Sequence, residues 1–259
     1  MTFERRPFAA GGHVLVDAEL ERRGFLVAFT ERTGGTSEPP YDTLNLSQAV
    51  GDVDDVVLRN RDLAARALGV AGFALAEQVH GVELAAVETA ERTSGYESPE
   101  GRLPGADALS TTTRNVALAI LTADCVPIVA ASPAQGLLVA AHAGWRGIAG
   151  GIVAKVAAQF QDPGDVRAAL GPAIGVDHYE VGEDVAASIA GGTRSGVVRE
   201  GHDERVHVDL VATIRGELGA HGISDVEDTG LCTACRPDLF FSYRRDGTTG
   251  RQATIAVKL

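Results

Sequence analysis

Cys125 and His142 are the pair whose residue types and spacing most directly imply chemistry. A thiolate and an imidazole can share one zinc ion, through bonds of about 2.3 Å and 2.0–2.1 Å. Both lie in residues 116–147, VALAILTADCVPIVAASPAQGLLVAAHAGWRG. Within that stretch VPIVAA and GLLVAA are apolar runs of strand length, divided by the turn-forming Ser132-Pro133-Ala134-Gln135. A hairpin looped through 132–135 pairs Ala131 with Gly136 and, counted outward, Cys125 with His142. Opposed Cβ atoms stand roughly 4.5–5.5 Å apart, within reach of one metal ion. The competing account is plainer: a cysteine beside a strand is commonly a small buried hydrophobe, and a lone histidine a hydrogen-bonded structural residue. Asp124 before the cysteine and Gly144-Trp145-Arg146-Gly147 after the histidine favour a site, because packing alone would fill those positions with apolar residues.

Other motifs narrow the chemistry. Ile148, Ile152, Val156 and Phe160 recur at helical spacing, so Gly144–Gly147 stand at a helix start. Free amides there favour an anion, and Arg146 adds a donor suited to phosphate oxygens. A plain strand-to-helix turn with Trp145 packed in the core accounts for the same residues. Cys232-Thr-Ala-Cys235 has C-x-x-C spacing without a second such pair, which points to structural thiols. No H-E-x-x-H occurs, nor the H-x-E with P-C-x-x-C of zinc deaminases. The seven histidines include no H-x-H pair, against a multicopper centre of clustered imidazoles.

The elements that must position these residues form a mixed set. HVLV and FLVAFT within residues 13–30 read as strands broken by a charged segment. Residues 30–46, TERTGGTSEPPYDTLNL, are long and aperiodic, as functional loops are, and hold Arg32, Tyr41 and Asn45. A helix capped by Asp52 or Asp54 runs to about Leu68 with Val56, Leu63, Ala64 and Ala67 on one face. Gly69 stops it, and Arg59, Asn60 and Arg61 read as a solvated face. Residues 73–79 and 82–87 look like strands flanking His80-Gly81, and 89–105 like a polar surface excursion. VRAALGPAIG (166–175) is strand then turn. Residues 177–190 and 207–219 read as helices, the second grouping Val208, Val211, Ala212, Arg215 and Leu218. LFFSY and ATIAVKL read as closing strands. FFSYRRDGTTGR (240–251) gathers Arg244, Arg245 and Arg251, either as a solvated loop or for an anion. Without regular βαβ alternation or a G-x-G-x-x-G motif, the expected class is α+β (α/β mixed): one domain over 1–259 with a mixed, partly antiparallel sheet core flanked by helices.

Composition bounds the function. A chain of 259 residues is ample for a packed core. A hydrophobic content of 45% and mean hydropathy of +0.05 belong to a soluble globular protein. The net charge of −12 argues against nucleic acid or an anionic membrane as partner. The first residues lack a secretory h-region and three cysteines make no disulfide framework, so the chain reads as cytoplasmic.

Taken together, these stretches resemble the laccase-domain family, also called YfiH-like or multicopper polyphenol oxidoreductase proteins. The resemblance spans nearly the whole chain. It is carried by TERTGGTSEPPYDTLNL, VGD with the later RNRDLA, EQVHG, the ADA of 106–108, LTADCVPI, AAHAGWRG, LGPAIG with YEVG, and FFSYRRDGTTGR. It implies a purine nucleoside phosphorylase with adenosine deaminase activity, acting on a small purine nucleoside and phosphate. It implies a zinc held by His80, Cys125 and His142, a set that leaves one position open as catalytic zinc sites do. Asp124 would orient a ligand or carry a proton, and Arg146, helped by Arg32, would bind phosphate. Rival functions are a copper-dependent polyphenol oxidase, a cysteine hydrolase using Cys125 with His142 as base, and a non-catalytic zinc-binding module.

Overall fold

In the computed structural model the described residues are 2–8, 11–89, 95–192, 198–200 and 205–259. The N-terminal part holds β1 (Phe3–Pro7), β2 (His13–Asp17), α1 (Ala18–Arg22), β3 (Phe25–Thr30), α2 (Asp54–Leu68), β4 (Ala74–Leu75) and β5 (Glu83–Ala86). The middle holds β6 (Ala106–Thr111), β7 (Ala117–Thr122), β8 (Val126–Ser132), β9 (Leu137–Ala143), α3 (Trp145–Gly150), α4 (Ile152–Ala157) and β10 (Arg167–Leu170). The remainder holds α5 (Glu183–Gly192), β11 (Val198–Glu200), β12 (Val206–Val208), α6 (Leu210–Ala220), β13 (Asp225–Asp228), α7 (Tyr243–Asp246) and β14 (Gln252–Lys258).

Two six-stranded sheets stack face to face, ordered β1-β2-β3-β14-β7-β4 and β13-β10-β8-β9-β6-β5. Both are mixed: β4 runs parallel to β7, β5 to β6 and β13 to β10, whereas the central pairs are antiparallel. The class is α+β, in four layers. Leu118 and Ile120 of β7 pack between the sheets against Val129, Leu138 and Ala140. The alternate residues Ala117, Ala119 and Leu121 meet α2 through Ala64 and Ala65. On the far side Ile128, Ala130 and Val139 meet Ile148, Ile152, Ile214 and Leu218 of the helices. A strand covered on both faces needs apolar residues at every position, which is why VALAIL and VPIVAA are unbroken runs and not alternations.

Several elements differ from the sequence expectation for identifiable reasons. In the β8–β9 hairpin Ser132 pairs with Leu137 and Pro127 with His142, so the loop is 133–136. Gly136 takes φ 59°, a conformation that places it in the turn and not in the strand. The partner of His142 therefore moves from Cys125 to Pro127. A shift of two keeps every side chain on its expected face, where a shift of one would have reversed them. The expected single helix after β9 is two, because Gly151 at φ 93° ends α3 and starts α4. LFFSY is not a strand: Gln252 takes both backbone groups of Phe241, accepting from its N–H at 2.9 Å and donating to its C=O at 3.2 Å. α6 starts at Leu210, capped by Asp209, and buries Leu210, Thr213, Ile214, Glu217 and Leu218 in place of the expected face. Residues 177–182 precede α5 and are not part of it.

α2 ends at Gly69 (φ 70°), but its buried face is Val57, Asn60, Arg61, Ala64 and Ala65. Asn60 and Arg61 are fully buried, not solvated, because the long loop before the helix brings carbonyls that need donors. Asn60 Nδ2 donates to Ser37 Oγ and to the carbonyls of Thr43 and Asn45, while its Oδ1 accepts from Thr36 N–H. Arg61 donates to Leu46 O, Gln48 Oε1 and Gly95 O. Asp52 turns to the same loop, accepting from Ser37 and Asn45, and α2 has no side-chain cap. The excursion at 89–105 also reaches inward: Tyr96 is buried, with its ring edge-on to Phe73 at 4.8 Å; residues 90–94 lie outside the described set. Asn60→Ala leaves several buried loop groups unsatisfied at about 1–3 kcal/mol each. The expected outcome is a stability loss of about 2–4 kcal/mol in urea unfolding, with faster proteolysis within residues 32–46.

Candidate active site

Asp107, on β6, organises the site and is fully buried. Its carboxylate accepts the backbone N–H groups of Val79, His80 and Gly81 at 3.0, 3.0 and 2.7 Å. It also accepts from His142 Nδ1 at 2.9 Å. A carboxylate can only accept, so Nδ1 carries the proton and Nε2 is left as the ligand atom. His80 sits at φ 63° in the turn between β4 and β5, and Gln78 beside it at φ 61°. Cys125 immediately precedes β8, after Asp124 at φ 100°. These elements bring the ligand atoms of His80, Cys125 and His142 within 4.8 Å of one another. The rings of His80 and His142 stand edge-to-face at 4.8 Å. Gly144 follows β9 beside them, and a Cβ there would lie 2.9 Å from His80 Cδ2 and 3.0 Å from Cys125 Sγ. The close approach requires glycine.

The electrostatics fit a cation. Burial pushes the Asp107 carboxyl up, but the hydrogen bonds from His142 and from the Gly81 and His80 amides take it below its ordinary value. Burial also pushes the Cys125 thiol up, and there the charge of His142, with hydrogen bonds to His142 and His80, brings it down to about 6. His142 is pulled down by burial and pushed up more strongly by Cys125 and Asp107, to about 9. A half-buried thiolate beside a histidine whose outer nitrogen is fixed by a carboxylate is the donor chemistry of a zinc or copper site.

The three donors open onto a cleft of about 480 Å³. Trp145, Tyr179 and Tyr243 supply its aromatic lining, and Arg102, Arg244 and Arg251 its positive charge. Burial pushes the Tyr179 hydroxyl up to about 12, reinforced by the charge of Cys125, so it remains a donor. Arg251 donates to Thr249 O and Gly250 O, and Arg244 to His178 O and Glu180 O. Arg102 differs: its Nε and Nη2 are buried without any hydrogen-bond partner among the described residues. Asp124 lines the cleft with both oxygens engaged, accepting from Thr233 Oγ1 at 2.6 Å and from the Arg244 N–H at 2.7 Å.

Neither Arg146 nor Arg32 lines the cleft. Arg146 is exposed with its guanidinium 4.6 Å over the Trp145 ring, and it does not line the cleft. α3 spans only Trp145–Gly150, so little dipole stands behind its first turn. Arg32 donates to Asp42 O and Pro237 O, pairs with Asp42 and stacks 4.7 Å over Phe241, which holds the long loop and not the cleft. Arg245 is likewise internal, bonded to Thr233 O, Phe240 O and Asp246. Sequence reasoning gave no role to Asp107, Arg102 or Tyr179. The signals for them were the ADA block, one of the two arginines in the 89–105 excursion, and the aromatic of YEVG.

A family model described as multi-copper polyphenol oxidoreductase laccase matches residues 26–258. The chain belongs to this family. It is similar to a purine nucleoside phosphorylase from Streptomyces coelicolor, 40% identical over 233 residues that cover 87% of this chain and 92% of the relative. A purine nucleoside phosphorylase from Deinococcus radiodurans is 42% identical over 237 residues, 88% of this chain and 87% of that one. Among solved structures, YlmD from Geobacillus stearothermophilus superposes with a TM-score of 0.91 at 34% identity, covering 99% of this chain and 98% of that one. The family's description names several coppers. The described residues instead bring together two groups, His80–Cys125–His142 and His178–Cys232–Cys235, neither a cluster of imidazoles alone. In the second group the hydrogen bond between the two sulfurs, with a smaller contribution from desolvation, places the Cys235 thiol high, at about 11, the opposite of a reactive redox dithiol. No helix of the described residues is long and apolar enough to cross a membrane.

Asp107→Asn removes the charge that orients His142 and replaces an acceptor with a donor facing N–H groups. Metal affinity falls about 10–100-fold, measured by competition with a chromogenic chelator. Proton counts add a second check. Between pH about 6 and about 9 the metal-free site holds a Cys125 thiolate and a protonated His142. Metal uptake there takes one proton from the Cys125–His142 pair, that of His142; below about 6 the pair gives up two, because Cys125 is then protonated as well; above about 9 it gives up none. Titration calorimetry in buffers of different ionisation enthalpy reads this directly.

Proposed function

We propose that the chain is a purine nucleoside phosphorylase, splitting adenosine or inosine with phosphate into the free base and ribose 1-phosphate. The observation that carries this reading is half-buried Arg102, whose Nε and Nη2 are buried and unpartnered, in the same cleft as His80, Cys125 and His142. Buried donors without partners are expensive and ask for an anion. The relatives named purine nucleoside phosphorylase supply the substrate class. Arg102, supported by Arg251, would hold phosphate. The N-glycosidic bond breaks as a phosphate oxygen bonds to C1′, and the leaving purine takes at its imidazole ring the proton that hydrogen phosphate gives up in becoming ribose 1-phosphate. Charge developing on the ribose meets the phosphate dianion, so positioning the anion is the main catalytic demand on the protein. Trp145 and Tyr243, the latter 62% exposed at the mouth, would stack on the purine, and Tyr179 would donate a hydrogen bond to it.

His80, Cys125 and His142 would hold zinc, which when bound supplies a Lewis acid able to polarise a substrate oxygen or a water. Adenosine deamination, giving inosine and ammonia, is a second proposed activity of the same cleft and needs no phosphate. Asp124 acts in this reading as a positioning residue, since both of its oxygens are engaged. Residues 1–259 would work as one cytoplasmic unit, the cleft drawing on both sheets. The Cys125–His142 charge pair also favours a cysteine hydrolase. The two readings part on metal removal, which would abolish the phosphorylase and expose the thiolate for the hydrolase.

With inosine as substrate, hypoxanthine release is strictly phosphate-dependent. Arg102→Met raises the phosphate KM roughly 10–100-fold, the value of about 1.5–3 kcal/mol for a hydrogen bond to a charged group, and changes the inosine KM little. Chromatography with varied phosphate checks both. Phosphate dependence unaltered by Arg102→Met would remove Arg102 from the anion site.

A further inference from the structure

Outside the cleft, the described residues contain one further set of metal-binding side chains. The ligand atoms of His178, Cys232 and Cys235 lie within 4.8 Å of one another. His178 closes the short turn Val176–His178, and the two cysteines flank Thr233-Ala234 in a loop that belongs to neither large sheet. The two segments meet at the ladder bridge of Ala173 with Cys232, where Ala173 N–H donates to Leu231 O and Thr233 N–H donates to Ala173 O. Backbone N–H groups of Gly175 and Cys235 point at the Cys232 sulfur at 3.2 and 3.4 Å. Gly175 stands close enough that an added Cβ would meet that sulfur at 3.2 Å. Two sulfurs from a C-x-x-C turn plus an imidazole from a facing loop are the soft and borderline donors that zinc-class ions select, and oxygen-preferring cations do not. His178 and Cys235 are exposed, which leaves the fourth position to solvent.

We propose that His178, Cys232 and Cys235 bind a second zinc-class ion that clips these two loops together. The clip would serve the cleft from behind. Thr233, inside the C-x-x-C turn, donates to Asp124 next to Cys125. Tyr179, next to His178, lines the cleft beneath the Arg244 guanidinium at 5.0 Å, and Arg244 is bonded to His178 O. Fixing the turn to the facing loop therefore fixes two walls of the active site without contributing a ligand to it.

Cobalt(II) alone is the probe, with Cys125→Ser as the background because that variant has no thiolate at the first site. The sulfur-to-cobalt absorption should rise in Cys125→Ser and saturate at about one cobalt per chain. It should vanish in Cys125→Ser/Cys235→Ser, a change at an exposed position. His178→Ala keeps both sulfurs and should weaken cobalt binding by more than the roughly 10–100-fold that an outer-shell change costs. In the otherwise unmodified chain, Cys235→Ser should lower zinc content by about one equivalent while His80, Cys125 and His142 retain theirs. Absence of the band in folded Cys125→Ser overturns the proposal. So does a zinc content unaffected by Cys235→Ser, or a Cys232–Cys235 disulfide that forms in place of metal binding.

Discussion

The site depends first on burying one carboxylate. Removing Asp107 from water costs several kcal/mol if nothing replaces the solvent. Four donors replace it: three successive amides of the turn carrying His80, and the imidazole of His142. Hydrogen bonds to a charged group are each worth about 1.5–3 kcal/mol, so four together more than offset the burial. The direction of the Asp107 shift, below the ordinary carboxylate range, agrees with that balance. One charge thereby fixes two histidines from distant parts of the chain. It also selects which nitrogen of His142 faces the cleft.

Backbone strain is concentrated around the same place. Gln78, His80 and Asp124 all adopt positive φ, and Asn115 is the one other non-glycine residue to do so among those described. Such conformations cost on the order of 1–3 kcal/mol each and persist only where neighbours over-determine them. Each has such neighbours. The Gln78 side chain donates to Leu121 O at 2.7 Å and accepts from Leu121 N–H at 2.9 Å, completing the end of β7. The His80 amide is held by Asp107. Asp124 is held by Thr233, by Arg244 N–H and by the amide of Ile174, which donates to its carbonyl. Strain is thus balanced by bonds from other elements and cannot relax locally, which is what a site with fixed ligand positions requires.

What was legible in the sequence followed from local rules. Strands buried on both faces write themselves as unbroken apolar runs, and hairpin parity put Cys125 and His142 on a shared face even with the register displaced by a turn glycine. What escaped was set by partners far away in the chain. Asn60 and Arg61 look like a solvated helix face until the carbonyls of residues 43–46 and 95 are brought to them. Arg32 and Arg146 look like anion binders by type, and their guanidinium groups stack on Phe241 and Trp145. Arg102 sat in a stretch whose composition reads as surface. Charged residues carry the least positional information in a sequence, because the same side chain is at home in water, in a buried network or over an aromatic ring.

The division of labour between the sheets explains why the cleft lies where it does. His142 lies on β9, Cys125 precedes β8 and His80 precedes β5, all members of one sheet. Arg251 precedes β14 and Gln78 follows β4, members of the other. Metal donors on one sheet and a cation with a backbone brace on the other meet only at the rim where the two stacked sheets end together. A substrate in the cleft would therefore bridge the sheets, and its binding geometry inherits the rigidity of the core between them, where Phe29, Leu118, Val129 and Leu138 are essentially fully buried. The loops 176–178 and 232–235 lack that support, since neither belongs to a large sheet. They nevertheless hold Asp124 and Tyr179 in place, so a fixed cleft needs a constraint there that the core does not provide.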